Sequence, residues 1–264
     1  MNRIVVSFIL LLKFILAQND VCFNIESNPN LDDPAFDCFS KYVNVLNCFE
    51  VYAESNIPDH KVLHVASIAA ELLDNNEDGI IDDENLYIQL QSKRALIPIF
   101  TFDGSSCMDN FMDFYDGDGV SAVLWRNEIE PSEPGHWGSD ATVEEVLHTI
   151  NHVGHVALFP EAFNIIPNSS IMSDAMDIAR GGRFKNVPRR YPKEAWYTYN
   201  DRTCDYECQA VEYFYWGLTS YLGAQNYPGR FLEIKDEWTL NTPEKFQEKD
   251  KELLRILTNR EYLL

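Results

Sequence analysis

The hydrophobic and polar positions along this 264-residue chain predict a mainly α-helical protein with a small β-sheet. Residues 60–73 place apolar side chains at helical spacing, and this pattern ends where an acidic stretch begins at Asp74. Similar patterns predict further helices at residues 39–54, 84–93, 142–158 and 205–222, and a polar helix at the end of the chain. A continuous apolar run at 95–102 and a mixed run at 121–129, suited to a sheet edge, predict strands. The expected fold class is α+β.

The first 17 residues have the pattern of a secretory signal peptide, because Arg3 precedes a short apolar run that ends near Ala17. Residues 18–55 form a cysteine-rich segment, and residues 56–264 are expected to form one α+β domain. No other segment approaches the roughly 20 apolar residues that span a bilayer. We therefore expect a secreted, extracellular protein without a transmembrane segment in its mature chain.

Charge and cysteine content narrow the classes of function. The chain has 42 acidic and 21 basic residues, so its formal net charge is −21. Such a surface repels a phosphate backbone and attracts cations, so metal ions are expected partners and nucleic acid is not. Six cysteines on a secretory route predict disulfide bonds, although their pairing stays open. The sequon at Asn168 predicts a glycoprotein.

An acidic stretch between two predicted helices has the spacing of calcium ligands. Oxygen donors recur at alternate positions, where Gly79 allows a sharp turn, and they are Asp74, Asn76, Asp78, the Ile80 carbonyl and Asp82. Residues 74–85 thus resemble an EF-hand loop, which implies bound Ca²⁺. Asn85 replaces the glutamate that the family has at the last position, and Glu84 stands one place earlier. The alternative is an acidic turn that binds no ion.

The helix predicted at 142–158 places imidazoles and carboxylates on one face. At about 100° per residue, this face contains Glu144, Glu145, His148, His152 and His155, and aliphatic residues lie opposite. Two imidazoles one turn apart can bind zinc or a similar ion, so His148 and His152 are the predicted transition-metal ligands. His155 is an alternate ligand. A third ligand is expected from the helix at 205–222, with Glu207 preferred because its face is apolar and Glu212 as the alternate.

The order of a mixed strand and a helix with His148 and His152 resembles the zincin metallopeptidases over residues 121–155. This resemblance implies Zn²⁺ and hydrolysis, with a glutamate after the first histidine as the general base. Thr149 occupies that position and cannot accept the proton, so Glu144 and Glu145 are the candidate catalytic bases.

Three functions therefore stay open. The first is a secreted calcium-binding protein with a His-rich, zinc-type metal site, and the second is a zincin-like metallohydrolase with a non-standard base. The third is a non-catalytic structural or interaction protein of the extracellular space. Two features distinguish these functions: whether a carboxylate approaches His148 and His152, and whether a pocket opens over these two residues.

Overall fold

The computed structural model describes residues 23–131, 140–262 and 264. Five strands form one sheet in sequence order: β1 (Glu26–Ser27), β2 (Phe39–Val45), β3 (Phe49–Glu54), β4 (Ala95–Phe100) and β5 (Leu124–Trp125). β1, β2 and β3 pair antiparallel, whereas β4 is parallel to both β3 and β5. β5 is therefore an edge strand, and it is much shorter than the predicted run of 121–129. The predicted signal peptide at 1–17 lies outside the described residues.

Eleven helices are present in the described part of the chain, and they confirm the α+β class. The first seven are α1 (Asp59–Leu73), α2 (Glu84–Lys93), α3 (Ser106–Phe114), α4 (Thr142–Ile150), α5 (Val156–Leu158), α6 (Pro160–Phe163) and α7 (Ile171–Ala179). The others are α8 (Tyr206–Tyr221), α9 (Arg230–Ile234), α10 (Pro243–Lys249) and α11 (Lys251–Leu257). A 3₁₀ turn follows β5 at Arg126–Glu128, and a π-helical turn at Asn151–His155 joins α4 to α5.

The helix predicted at 39–54 is wrong, because β2 and β3 form a hairpin there. Leu46 and Asn47 both have positive φ, which favours the mirror-image turns that match the twist of two antiparallel strands. Alternate strand residues face different clusters: Val43 and Val51 pack under α1, whereas Tyr52 joins an aromatic cluster on the other face. Both faces of the hairpin are therefore buried, so its sequence lacks the apolar–polar alternation of a half-exposed strand.

The core has three clusters, and α4 lies between two of them. Val146 and Ile150 of α4 pack with α1 and the sheet, whereas Leu147 packs with the cluster around α8. The third cluster lies on the opposite face of the sheet, where a disulfide joins Cys38 to Cys107 of α3. α4 is therefore held on two sides, and this fixes the direction of the side chains on its remaining face.

The structure shows two of the expected disulfide bonds. Cys38 pairs with Cys107, and Cys204 pairs with Cys208 at the start of α8. Cys48 is buried and has no disulfide partner among the described residues. Cys22 lies outside the described residues. No helix within the described ranges is long and apolar enough to cross a membrane.

Candidate metal centre

The first turn of α4 is fixed by Asp140, which precedes the helix. One carboxylate oxygen of Asp140 accepts hydrogen bonds from the Thr142 amide at 3.0 Å and the Thr142 hydroxyl at 2.6 Å. Its other oxygen lies 2.7 Å from Nε2 of His64 in α1. Because Asp140 satisfies the start of the helix, Glu144 and Glu145 are available for contacts on the side of α8.

α8 supplies the opposite wall of the centre. The Asp205 side chain accepts a hydrogen bond from the Cys208 amide and caps the helix. Every residue from Gln209 to Ser220 is buried, and Glu212 lies within this segment. The helix therefore carries a carboxylate into the interior, where charge is unfavourable without a partner.

Glu144, His148 and Glu212 converge at the contact between α4 and α8. Each offers one ligand atom, and these three atoms lie within 4.8 Å of one another. Nε2 of His148 lies 3.8 Å from a Glu212 oxygen, and it is buried without a hydrogen-bond partner in the described structure. On the other side of the ring, Nδ1 lies 3.5 Å from Glu145. The imidazole is therefore held between carboxylates with its Nε2 directed at the group.

Burial and mutual repulsion perturb the pKa values of this group. Burial raises the pKa of Glu144, and the negative charge of Glu212 raises it further. Burial also raises the pKa of Glu212. Burial alone would lower the pKa of His148, but the charges of Glu212, Glu145 and Glu144 outweigh it and raise that pKa to about 9.

Two more glutamates experience the same excess of negative charge. Burial, with repulsion from Glu212, raises the pKa of Glu237 to about 7, although Arg230 opposes this shift. Burial and the charge of Glu145 raise the pKa of Glu128. A divalent cation would relieve this repulsion, and the donor set of two carboxylates and one imidazole is one that binds such ions.

A cavity of about 320 Å³ lies beside the centre. Its walls combine residues of α4, the π turn and α8 with the segment before β5 and one residue after α6: Ser121, Ala122, Glu145, His148, His152, Ile165, Glu207, Cys208, Val211 and Glu212. Most of the predicted transition-metal residues therefore surround one cavity. Its volume is within the range typical of small-ligand sites.

The structure divides these residues differently from the sequence prediction. His152 and Glu207 line the cavity, but both are exposed and neither belongs to the group of three. Glu212, the alternate, takes the place expected for Glu207. α8 is buried on almost every side beyond its first turn, so helical angles do not identify one inward face. Metal binding by Glu207 stays a prediction.

His155 does not share the face of His148, contrary to the prediction. Hydrogen bonds in the π turn span one residue more than in an α-helix, so the turn rotates the residues that follow it. His155 is buried with its ring centroid 5.4 Å from that of Phe163, and burial lowers its pKa to about 4. It is therefore a neutral side chain of the core.

In the acidic loop at 74–83, unlike the centre between α4 and α8, most acidic side chains are exposed or accept hydrogen bonds from within the loop. Asp74 is buried and accepts hydrogen bonds from the Asp78 amide at 3.2 Å and the Gly79 amide at 2.7 Å. Asp82 accepts hydrogen bonds from Asn75 and Asn76. The other predicted calcium ligands are exposed: Asn76, Asp78, Ile80, Asp82 and Glu84. The predicted flanking helices are confirmed as α1 and α2, and calcium binding stays a prediction.

Sequence reasoning missed two features of the centre. Glu144 was considered as a base, but the structure places it with His148 and Glu212. Tyr199, which precedes α8, lies with its hydroxyl 3.2 Å from a Glu212 oxygen and can donate a hydrogen bond to it. Glu144 and His152 each lie four residues from His148, so only the contact with α8 distinguishes them.

Comparisons with known proteins add no relative. No protein-family model, curated protein or solved structure matches this chain. The fold and the site therefore define only a class: an α+β protein with a buried carboxylate–histidine group suited to a metal ion. Asn168, the predicted glycosylation site, is exposed in the turn before α7, and its glycosylation stays a prediction.

Proposed function

We propose that this protein is a secreted, metal-dependent hydrolase. One divalent ion, with zinc as the expected one, would be held by Glu144, His148 and Glu212. The observation that supports this most strongly is the convergence of these three side chains within 4.8 Å around an unpartnered, buried imidazole nitrogen. Two disulfide bonds support an oxidising compartment.

The dimensions of the group fit a single ion after a small closure. Ligand atoms on one tetrahedral zinc are about 3.4 Å apart when each bond is about 2.1 Å long. His148 Nε2 and the Glu212 oxygen are separated by 3.8 Å, so modest side-chain rotations would suffice. Tyr199 would hold Glu212 in place through its hydroxyl, as hydrogen-bond partners of metal ligands commonly do.

The cavity leaves room for water and a substrate beside the proposed metal ion. A divalent ion with three protein ligands would supply Lewis-acid activation of a carbonyl group and of water. Glu145 lines the cavity next to His148 and would accept a proton from that water as the general base. Metal binding alone would need no such cavity, so the open space and the additional carboxylate favour a hydrolase.

In this proposal, the ligand pair that resembles the zincin motif lies four residues earlier on α4 than the sequence predicts. The two ligands on α4 are Glu144 and His148 rather than His148 and His152. Glu145 then follows the first ligand, as the catalytic glutamate does in that family, and Thr149 is not required to act as a base. β5 follows Ser121 and Ala122, which line the cavity, and it precedes α4 in the chain.

Three variants test this function. Wild type, His148→Ala, Glu145→Gln and His152→Ala are dialysed against zinc, their metal content is measured by mass spectrometry, and each is incubated with a broad peptide library. We expect one zinc and chelator-sensitive cleavage for wild type, zinc without cleavage for Glu145→Gln, and neither for His148→Ala. His152→Ala, the matched imidazole control, should retain zinc.

Each part of the proposal can fail separately. Equal zinc in wild type and His148→Ala would refute the metal centre. Zinc binding by wild type without cleavage of any peptide would instead favour a non-catalytic metalloprotein. Undiminished cleavage by Glu145→Gln would assign the base to another residue.

A further inference from the structure

We propose that the cavity recognises peptides with a lysine or arginine side chain, and that Glu207 is the residue that selects this cationic group. This inference rests on the proposed function, because it names the substrate class of the same cavity. Glu207 is not part of the proposed metal centre.

The lining of the cavity is acidic and partly apolar. Glu145, Glu207 and Glu212 contribute carboxylates, and no lysine or arginine is among the described residues that line it. Ala122, Ile165 and Val211 add apolar surface. Long basic side chains match such a wall, because their methylene stems pack on apolar surface while the charged end reaches a carboxylate.

Glu207 is the carboxylate of this wall that has no role in the centre. Glu212 belongs to the group of three, and Glu145 lies beside His148. No hydrogen bond or ion pair joins the Glu207 carboxylate to another described residue, although its charge acts on His152. Partial desolvation lowers the pKa of His152 although the charge of Glu207 opposes this shift, so the imidazole does not balance Glu207.

The position of Glu207 is well defined. It lies in the first turn of α8, where Asp205 caps the helix. The disulfide between Cys204 and Cys208 encloses it, and Cys208 itself lines the cavity. A carboxylate held on a capped and cross-linked turn loses little freedom when it binds a cation, which favours selectivity. The net charge of −21 would also attract basic peptides.

The test uses pairs of peptides that differ only in charge. Each pair has arginine or its neutral isostere citrulline at one position, and the position is moved along the peptide. The zinc-loaded full chain is compared with Glu207→Gln, Glu207→Lys and the control Glu244→Gln. Glu244 is a suitable control because it is an exposed glutamate in the first turn of α10, away from the cavity.

For wild type we expect kcat/KM to be at least about tenfold higher for the arginine peptide at the preferred position, a difference of about 1.4 kcal/mol. The ratio should fall toward one in Glu207→Gln, fall below one in Glu207→Lys, and remain at the wild-type value in Glu244→Gln. A wild-type ratio near one, or the same ratio in Glu207→Gln, would overturn the inference.

Failure of the proposed function would look different. If no peptide is cleaved, the hydrolase is refuted, and the same peptides are then measured by fluorescence anisotropy. Tighter binding of the arginine peptide that is lost in Glu207→Gln would support cationic recognition by Glu207 in a non-catalytic protein. Equal binding of both peptides would refute it.

Discussion

The acidic loop at 74–83 and the centre at Glu144, His148 and Glu212 both concentrate negative charge. The two regions differ in whether their polar atoms have hydrogen-bond partners. In the loop, Asp74 and Asp82 accept hydrogen bonds from neighbouring amides. At the centre, carboxylates repel one another across a buried contact, and Nε2 of His148 has no partner among the described residues. The number of acidic residues therefore does not identify the stronger ion site. The convergence of a buried imidazole nitrogen with two carboxylates marks the candidate site instead, because a buried polar atom without a partner is unfavourable until a ligand arrives.

The largest expected difference between the two regions is stabilisation by zinc. An ion that binds only the folded state stabilises it by about 4 kcal/mol at a thousandfold excess over its Kd. Wild type and the loop variant Asp78→Ala should both show this gain in chemical denaturation, and His148→Ala should lose it. A gain that disappears in Asp78→Ala and persists in His148→Ala would reverse the roles of the regions.

The metal-free protein should also lose stability as the pH rises from about 6.5 to about 9. The pKa of His148 is raised to about 9 in the folded state, above its unfolded value of about 6.5. The folded state therefore holds this proton more tightly, and the resulting stability is present below pH 6.5 and disappears above pH 9. We expect a loss of about 3 kcal/mol in denaturation with chelator, because each pKa unit corresponds to about 1.4 kcal/mol. His148→Ala should flatten this dependence, and an equal slope in both proteins would contradict the electrostatic account.

Removal of one carboxylate from each region should change the stability of the metal-free protein in opposite directions. Asp74→Ala leaves the Asp78 and Gly79 amides without their acceptor and should destabilise by about 1–2 kcal/mol. Glu144→Gln removes a repelled buried charge and should stabilise by about 1 kcal/mol. Urea denaturation with chelator measures both. Destabilisation of similar size in both variants would show that the centre is as well satisfied as the loop.

The smallest expected effect is calcium binding at the loop. Extracellular sites of this type bind at about 10⁻⁴–10⁻³ M, so 1 mM calcium should stabilise by about 1 kcal/mol. Calorimetry should detect binding to wild type and to the control Asp113→Ala, an exposed acid outside the loop. Binding should be absent in Asp78→Ala. Identical binding by all three proteins would assign calcium to the acidic surface in general.

Local patterns predicted much of the fold, and tertiary contacts decided the rest. α2 begins and ends at the predicted residues, because Asp83 caps it and Arg94 ends it in a left-handed conformation. The hairpin at 39–54 was missed because both of its faces are buried. His155 was misplaced because a π turn interrupts the helix. Glu212 could not be preferred over Glu207 because α8 has no single buried face.

The central claim is that Glu144, His148 and Glu212 bind one metal ion, and anomalous X-ray scattering at the zinc edge tests it most directly. Crystals grown with equimolar zinc should show one strong anomalous peak, about 2.0–2.2 Å from a ligand atom of each of these residues. The peak should be absent from crystals of His148→Ala. A peak at His152 and Glu207, a peak in the loop at 74–83, or no peak at the centre would contradict the account.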